Sequence, residues 1–216
     1  MKIIAVNGSP RKTWNTAMLL QKALEGAASR GAQTELIHLY DLNFTGCKSC
    51  FSCKTKDGKS YGKCAAQDDL TPILKKLEET DAIILGSPIY LGGVTGAMKS
   101  FIERLVFPFL PYVEPPGTLF PRKIGTAIFY TMNQPEAAAK DLGYFNYFGQ
   151  NERLLKRIFG SSESLASFDT YQVDDYSKLV APRFDPVKKA ARRKEVFPLD
   201  CQKAYDIGVK LATTAS

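Results

Sequence analysis

Ile3-Ile4-Ala5-Val6, followed by Asn7-Gly8-Ser9-Pro10-Arg11-Lys12-Thr13-Trp14-Asn15-Thr16, is the stretch that decides the fold. A short apolar run enters a glycine turn, and helical periodicity begins at Thr16 and continues to Ser29. A strand with no polar alternation is one buried on both faces, as in a parallel sheet. The loop lies at the carboxyl end of that strand and at the start of a helix, where free N–H groups and the helix dipole favour an anion. Ser9, Thr13 and Thr16 offer hydroxyls, Asn15 an amide, and Arg11 and Lys12 positive charge, a set suited to a phosphomonoester. The loop is neither G-x-x-x-x-G-K-[ST] nor G-x-G-x-x-G, which disfavours an ATPase loop and a dinucleotide Rossmann site. Taken alone, it reads equally well as a turn at Gly8-Ser9-Pro10 before a helix capped by Asn15 or Thr16.

Moving outward, apolar β-rich runs recur at Leu36 to Leu39, Ala82 to Leu85 and Ile124 to Tyr130. Helical periodicity marks Leu70 to Glu79, Thr95 to Phe107, Glu152 to Phe159 and Leu199 to Thr213. A fifth strand is expected over Ser164 to Val173. Alternating strands and helices imply a doubly wound α/β domain: five parallel strands with helices on both faces. At 216 residues, one domain over 1–216 is expected. Two long insertions interrupt it: a cysteine-rich loop at 46–67 and a proline- and aromatic-rich loop at 107–121. The second suits a dimer contact or a ligand cover, and plain packing of a connection onto the core accounts for it at least as well.

The loop after the third strand separates the two readings of the first. Gly86-Ser87-Pro88-Ile89-Tyr90-Leu91-Gly92-Gly93-Val94-Thr95-Gly96 is glycine-rich with one aromatic, as expected where main-chain N–H groups approach the edge of a flat ring. In a 2-1-3-4-5 sheet, strands one and three flank the switch point, so both loops reach one ligand. Gly8-Ser9-Pro10-Arg11-Lys12 with Asn15-Thr16, then Gly86-Ser87-Pro88-Ile89-Tyr90 with Thr95-Gly96 and Lys99, resembles the NADPH-dependent FMN reductase and iron-sulfur flavoprotein branch of the flavodoxin-like superfamily. The likeness covers roughly the first 130 residues, and two motifs in order are more specific than either alone.

That resemblance implies a flavodoxin-like fold and FMN. Its phosphate would be bound around Ser9, Pro10, Arg11, Lys12, Asn15 and Thr16. Its ring would be lined by Ser87, Pro88, Ile89, Tyr90, Leu91 and Gly92, with Thr131, Met132 and Asn133 completing the pocket. It further implies an NAD(P)H oxidoreductase that reduces a flavin, quinone, nitro compound or metal complex, and a homodimer or homotetramer. Trp14 stands where the family often has a small residue; it would cover the phosphate, face a partner subunit, or sit exposed without a role.

The rest of the sequence bounds this reading. No catalytic protein group is expected: His38, the single histidine, falls in a strand run as a packed residue, so the chemistry lies in the cofactor. Cys47-x-x-Cys50-x-x-Cys53, then ten residues, then Cys64, offers four thiolates, the first three at the spacing of a cubane cluster. Reduced thiols stand slightly ahead of a [4Fe–4S] cluster here, and the cluster ahead of zinc or a redox dithiol. Hence two alternatives accompany the oxidoreductase: an iron-sulfur flavoprotein electron carrier, whose partner would be a redox protein such as ferredoxin, and a non-enzymatic nucleotide-binding module.

Clustered cysteines suit a reducing compartment rather than a secreted disulfide framework. With no apolar run long enough to span a bilayer and no signal pattern, a cytoplasmic location without membrane contact is expected. The net charge is +7, with much of the excess in Arg183 to Lys203, expected to be the solvated face of a terminal helix rather than a nucleic-acid site.

Overall fold

A computed structural model describes residues 1–214. The strands are β1 (Lys2–Asn7), β2 (Gln33–His38), β3 (Ala82–Tyr90), β4 (Gly93–Val94), β5 (Ile124–Thr131) and β6 (Gly160–Ser167). The helices are α1 (Asn15–Ala28), α2 (Leu70–Glu78), α3 (Gly96–Val106), α4 (Glu136–Asp141), α5 (Tyr144–Phe159), α6 (Pro186–Glu195) and α7 (Phe197–Thr214). The sheet order is β2-β1-β3-β5-β6. Those five strands are mutually parallel, and the two-residue β4 pairs antiparallel with the end of β3. With β4 set aside as a hairpin tip, the five long strands follow the expected doubly wound, flavodoxin-like order.

Alternation along the central strands sorts the core into two layers. Ile3, Ala5, Ile84 and Phe129 face α1 and α7. Ile4, Val6, Ile83, Leu85, Ile128 and Tyr130 face α2, α3 and α5. Each fully buried isoleucine contributes about 1.5–3 kcal/mol relative to exposure, which is why these strands read as continuous apolar runs. α1 and α7 cross at two glycines. A Cβ on Gly208 would lie 1.8 Å from the Ala23 carbonyl oxygen, and one on Gly26 would lie 2.1 Å from that of Tyr205.

The structure differs from the sequence-based expectation where burial is one-sided. The last strand occupies Gly160–Ser167, not Ser164 to Val173, in parallel register with β5 from Ile124↔Gly160 to Thr131↔Ser167. It is an edge strand in which only Leu165 and Ser167 are buried, so Gly160-Ser161-Ser162-Glu163 carries no apolar signal. Helix α5 begins eight residues earlier than expected, where Tyr144, Tyr147 and Phe148 pack rather than loop out, Phe148 stacking on Tyr130 at 4.1 Å. Strand β3 continues through Ser87 and Pro88 to Tyr90, so the second loop is a strand end and a hairpin.

Within 107–121, Phe109 and Phe120 pack against Phe159 in the core, while Tyr112 and Val113 stand exposed. Among the described residues, none of this segment lines the cavity at the carboxyl ends of β1, β3 and β5.

Candidate functional site

Gly8 has no room for a side chain: a Cβ there would lie 2.7 Å from that of Met98, while its N–H donates to Gly86 O at 2.8 Å. The first loop is thereby drawn tightly onto the end of β3. Asn7 Oδ1 accepts from Ser9 N at 2.9 Å, and Ser9 Oγ accepts from Arg11 N at 3.1 Å, so the turn is shaped by its own side chains. The residue ahead of α1 is Trp14, which makes no side-chain cap, and Asn15 and Thr16 lie inside the first turn. The ordinary capped-helix reading of this loop is therefore not what the chain forms. An uncapped helix start leaves backbone donors to a ligand or to water.

The second wall is the β3–β4 hairpin. Leu91 and Gly92 at its tip have φ of 50° and 89°, the left-handed pair that a two-residue turn requires. Leu91 is fully exposed and Tyr90 half exposed. Ser87 and Thr95 brace the hairpin from inside: Thr95 N donates to Ser87 Oγ at 3.0 Å, and Thr95 Oγ1 donates to Gly8 O at 2.7 Å. The third wall follows β5, where the Thr131 hydroxyl meets that of Thr16 at 2.8 Å.

These walls enclose a cavity of about 650 Å³. Of the residues expected there, Ser9, Arg11, Asn15, Thr16, Pro88, Ile89, Tyr90, Leu91, Gly92, Thr131, Met132 and Asn133 line it. Pro10, Lys12 and Ser87 do not; Lys12 turns away to pair with Asp41 at 2.6 Å, and Ser87 is the buried brace. Trp14 lines it as well, its Nε1 donating to Tyr171 O at 3.0 Å and its ring covered by the Arg11 guanidinium at 5.0 Å. Gln134, Leu142, Tyr144, Thr170 and Gln172 also line it, with no local signal to mark them. Thr170 and Gln172 belong to the stretch read as strand, and nothing local distinguishes a strand from a strap laid over a ligand site. The lining holds no carboxylate, imidazole or thiol among the described residues.

His38 lies behind the first loop, its Nδ1 3.0 Å from Asn7 Nδ2. Since Asn7 Oδ1 is committed to Ser9 N, Nδ2 must be the donor and Nδ1 the acceptor, which assigns a neutral imidazole. Burial pushes its pKa below the ordinary range, Asp41 opposes this, and Lys12 adds to the depression.

A second cavity, about 510 Å³, lies in the cysteine loop and is lined by Cys47, Cys50, Cys53 and Cys64 together. Left-handed backbone at Ser49 and Phe51, with φ of 52° and 57°, turns the chain sharply between the first three. The ten-residue gap loops out and returns Cys64 against buried Arg104 of α3, whose Nε donates to Cys64 Sγ at 3.2 Å. Arg104 also pairs with Asp68 at 2.5 Å and donates to Thr45 O at 3.1 Å, joining both ends of the loop. Lys54 plugs the far side, donating to Pro108 O at 3.1 Å and Leu110 O at 2.7 Å. The Cys50 thiol is pulled down by hydrogen bonds from Ser52, and the Cys53 thiol pushed up by burial. Among the described residues, no three His, Cys, Asp or Glu side chains are placed to hold a single metal ion.

Comparison with known proteins agrees with this layout. An iron-sulfur flavoprotein of Methanocaldococcus jannaschii is 44% identical over 104 residues, 48% of this chain and 51% of that protein. One from Archaeoglobus fulgidus is 35% identical over 147 residues, 68% of this chain and 61% of its own length. The chain thus spans about half the length of the first of these relatives and somewhat more of the second. Among solved structures, an NAD(P)H:quinone oxidoreductase from Methanothermobacter marburgensis superposes with a TM-score of 0.70, covering 98% of both chains at 14% identity, a likeness of fold. The sequence profile of the NADPH-dependent FMN reductases matches residues 1–148, the loops after β1 and β3 included, and the chain belongs to that family.

Proposed function

We propose that the 650 Å³ cavity holds FMN and that the chain is an FMN-dependent NAD(P)H oxidoreductase. The observation that carries this reading is the uncapped start of α1 opening into a cavity whose opposite wall is a backbone hairpin. The residues present fit the group. At one end, Ser9, Asn15, Thr16 and Arg11 supply hydroxyl, amide and guanidinium donors beside free helix N–H groups. At the other, Pro88 to Gly92 and Thr131 to Asn133 offer apolar contact and main-chain polar groups for a flat heterocycle.

Bound flavin would supply the hydride and electron chemistry that the lining cannot, there being no acid–base pair among it. The chain's own contribution is to hold the ligand and shape its surroundings. The Thr16–Thr131 hydroxyl contact fixes the spacing of the phosphate and ring ends, and the exposed Tyr90 and Leu91 leave one side open to a nicotinamide or an acceptor. The acceptor class proposed is a quinone, nitro compound, free flavin or metal complex. Apolar Tyr90, Leu91 and Leu142 at the mouth suit a homodimer or homotetramer.

The test is spectroscopic. Protein reconstituted with FMN should show bound-flavin bands that bleach anaerobically on addition of NADPH or NADH; a protein that takes up no FMN overturns the proposal. Replacing Arg11 and Asn15 together by alanine should weaken FMN by about a hundredfold, two charge-assisted contacts being lost, and riboflavin much less. Equal losses for both ligands would contradict a phosphate role for the loop.

One observation favours a second reading alongside the first. Cys47, Cys50, Cys53 and Cys64 all line one cavity, and four thiolates gathered in one place are what a [4Fe–4S] cluster requires. Relatives bearing the name iron-sulfur flavoprotein support it. Such a cluster would make the chain an electron carrier able to exchange single electrons with a redox protein such as ferredoxin. Protein prepared without oxygen should then contain iron that Cys50→Ser removes; unchanged iron and activity in that variant would leave Cys47, Cys50, Cys53 and Cys64 as reduced thiols.

A further inference from the structure

The residues from Phe168 onward lie beyond the stretch that matches the family, yet they reach back to the phosphate end of the cavity. Asn15 Nδ2 donates to Tyr171 O at 2.7 Å, and the Arg11 guanidinium donates to Gln172 O. On the other side of the same amide, Arg193 Nη1 donates to Asn15 Oδ1 at 2.8 Å. Arg193 belongs to α6, within the basic segment Arg183 to Lys203 expected to be solvated. Arg183, Lys188, Lys194 and Lys203 are indeed exposed, whereas Lys189 is buried and bonded to Asn133 and Asp169, and Arg192 pairs with Asp200 at 2.6 Å. The Arg193 guanidinium is itself held in place, 4.3 Å from the centroid of the Phe197 ring. It does not line the cavity.

We propose that Arg193 is a positioning residue for the phosphate end of the site, acting through Asn15; this rests on the FMN reading given above. A primary amide has two ends of nearly equal shape, and only its partners decide which faces where. A guanidinium can only donate and a carbonyl can only accept, so Arg193 and Tyr171 O together permit one orientation of Asn15. In that orientation Tyr171 O takes one of the two Nδ2 hydrogens, and on this proposal the other goes to an anionic oxygen in the cavity that Asn15 lines. The flipped amide would set Oδ1 against Tyr171 O, acceptor against acceptor, and would turn an acceptor toward a phosphate. The cation behind the amide also polarises its N–H groups toward the anion.

The experiment compares FMN and riboflavin affinities of the full chain by flavin fluorescence quenching. Arg193→Met, which keeps an apolar stem over Phe197, should lose about tenfold in FMN affinity with riboflavin nearly unchanged, as for loss of one charge-assisted contact. In an Asn15→Ala background the same replacement should cost FMN nothing further. A comparable FMN loss in that background would mean that Arg193 acts by charge alone and would overturn the positioning role. If Arg193→Met does not fold, Arg193→Lys carries the same comparison with a smaller loss, because an ammonium keeps the charge without the planar fork. A wild-type chain that binds FMN and riboflavin alike overturns the functional reading and this inference with it. A wild-type chain that prefers FMN, with variants that keep the full preference, overturns this inference alone.

Discussion

Asn7 joins two residues of very different character: its oxygen shapes the Ser9 turn, and its nitrogen donates to a neutral His38. Protonated imidazole has no acceptor left, so acid must break one of these bonds. Because burial lowers the folded pKa of His38 below the ordinary 6.5, the unfolded chain takes up this proton more readily than the folded one. The contribution to stability is therefore complete above about pH 6.5 and is lost as the pH falls through the lower folded value. Asp41 and Lys12, paired nearby, are the charged groups that tune it. Melting temperatures measured from pH 7 to pH 5 should fall more steeply for the wild type than for His38→Gln, whose amide accepts without titrating; parallel curves would place the titration elsewhere. The sequence placed His38 correctly as a packed strand residue, but its partner is 31 positions away.

At the scale of elements, the α1–α7 crossing rests on Gly26 and Gly208. Gly208→Ala puts a methyl group where the Ala23 carbonyl stands and should cost about 1–3 kcal/mol, read as a lower urea midpoint with an unchanged slope. Gly96→Ala, at the start of α3 with open space around it, should be neutral or stabilising by a few tenths of a kcal/mol up to about 1 kcal/mol in the same assay. Elements buried on two faces were readable because their composition is constrained along their whole length: β1, the core of β3, β5 and α1 fall within a few residues of expectation. Edge strand β6 and α4 were not, since only two residues of β6 and one of α4 are buried. Helix α6 did carry a local signature. Asp185 caps it, its Oδ1 accepting from Val187 N at 2.9 Å, and Pro186 occupies the first turn.

Across the whole molecule, α3 links the two cavities. Its first turn is capped by Thr95, which also bonds Gly8 of the first ligand loop, and near its other end Arg104 holds Cys64, Asp68 and Thr45. Thr95 and Arg104 lie nine positions apart along it, roughly 14 Å of rigid rod. The strap around Tyr171 and Gln172 ties later chain to the same loop, so a ligand bound in the first cavity would bear on both parts of the fold. Saturation with FMN at a hundred times its dissociation constant should raise unfolding free energy by about 2.7 kcal/mol, and riboflavin at equal concentration by less. Differential scanning calorimetry checks this, and equal shifts for both ligands would speak against a phosphate site at α1. No described helix is long and apolar enough to cross a membrane.

By itself the sequence determined the alternation of strands and helices, the two glycine-bearing loops at the switch point, and the four cysteines as a group. Those follow from local rules: continuous apolar runs for buried parallel strands, hydroxyls and glycines where backbone meets ligand, close spacing for thiols. Only the tertiary structure decided that Lys12 and Ser87 stay out of the cavity lining, that Cys64 rejoins the other three across a ten-residue excursion, that Thr170 and Gln172 line the first cavity, and that Arg193 bonds Asn15. Each of these depends on partners tens to more than a hundred residues distant, and side-chain direction and amide orientation are fixed by such contacts rather than by neighbours in the chain.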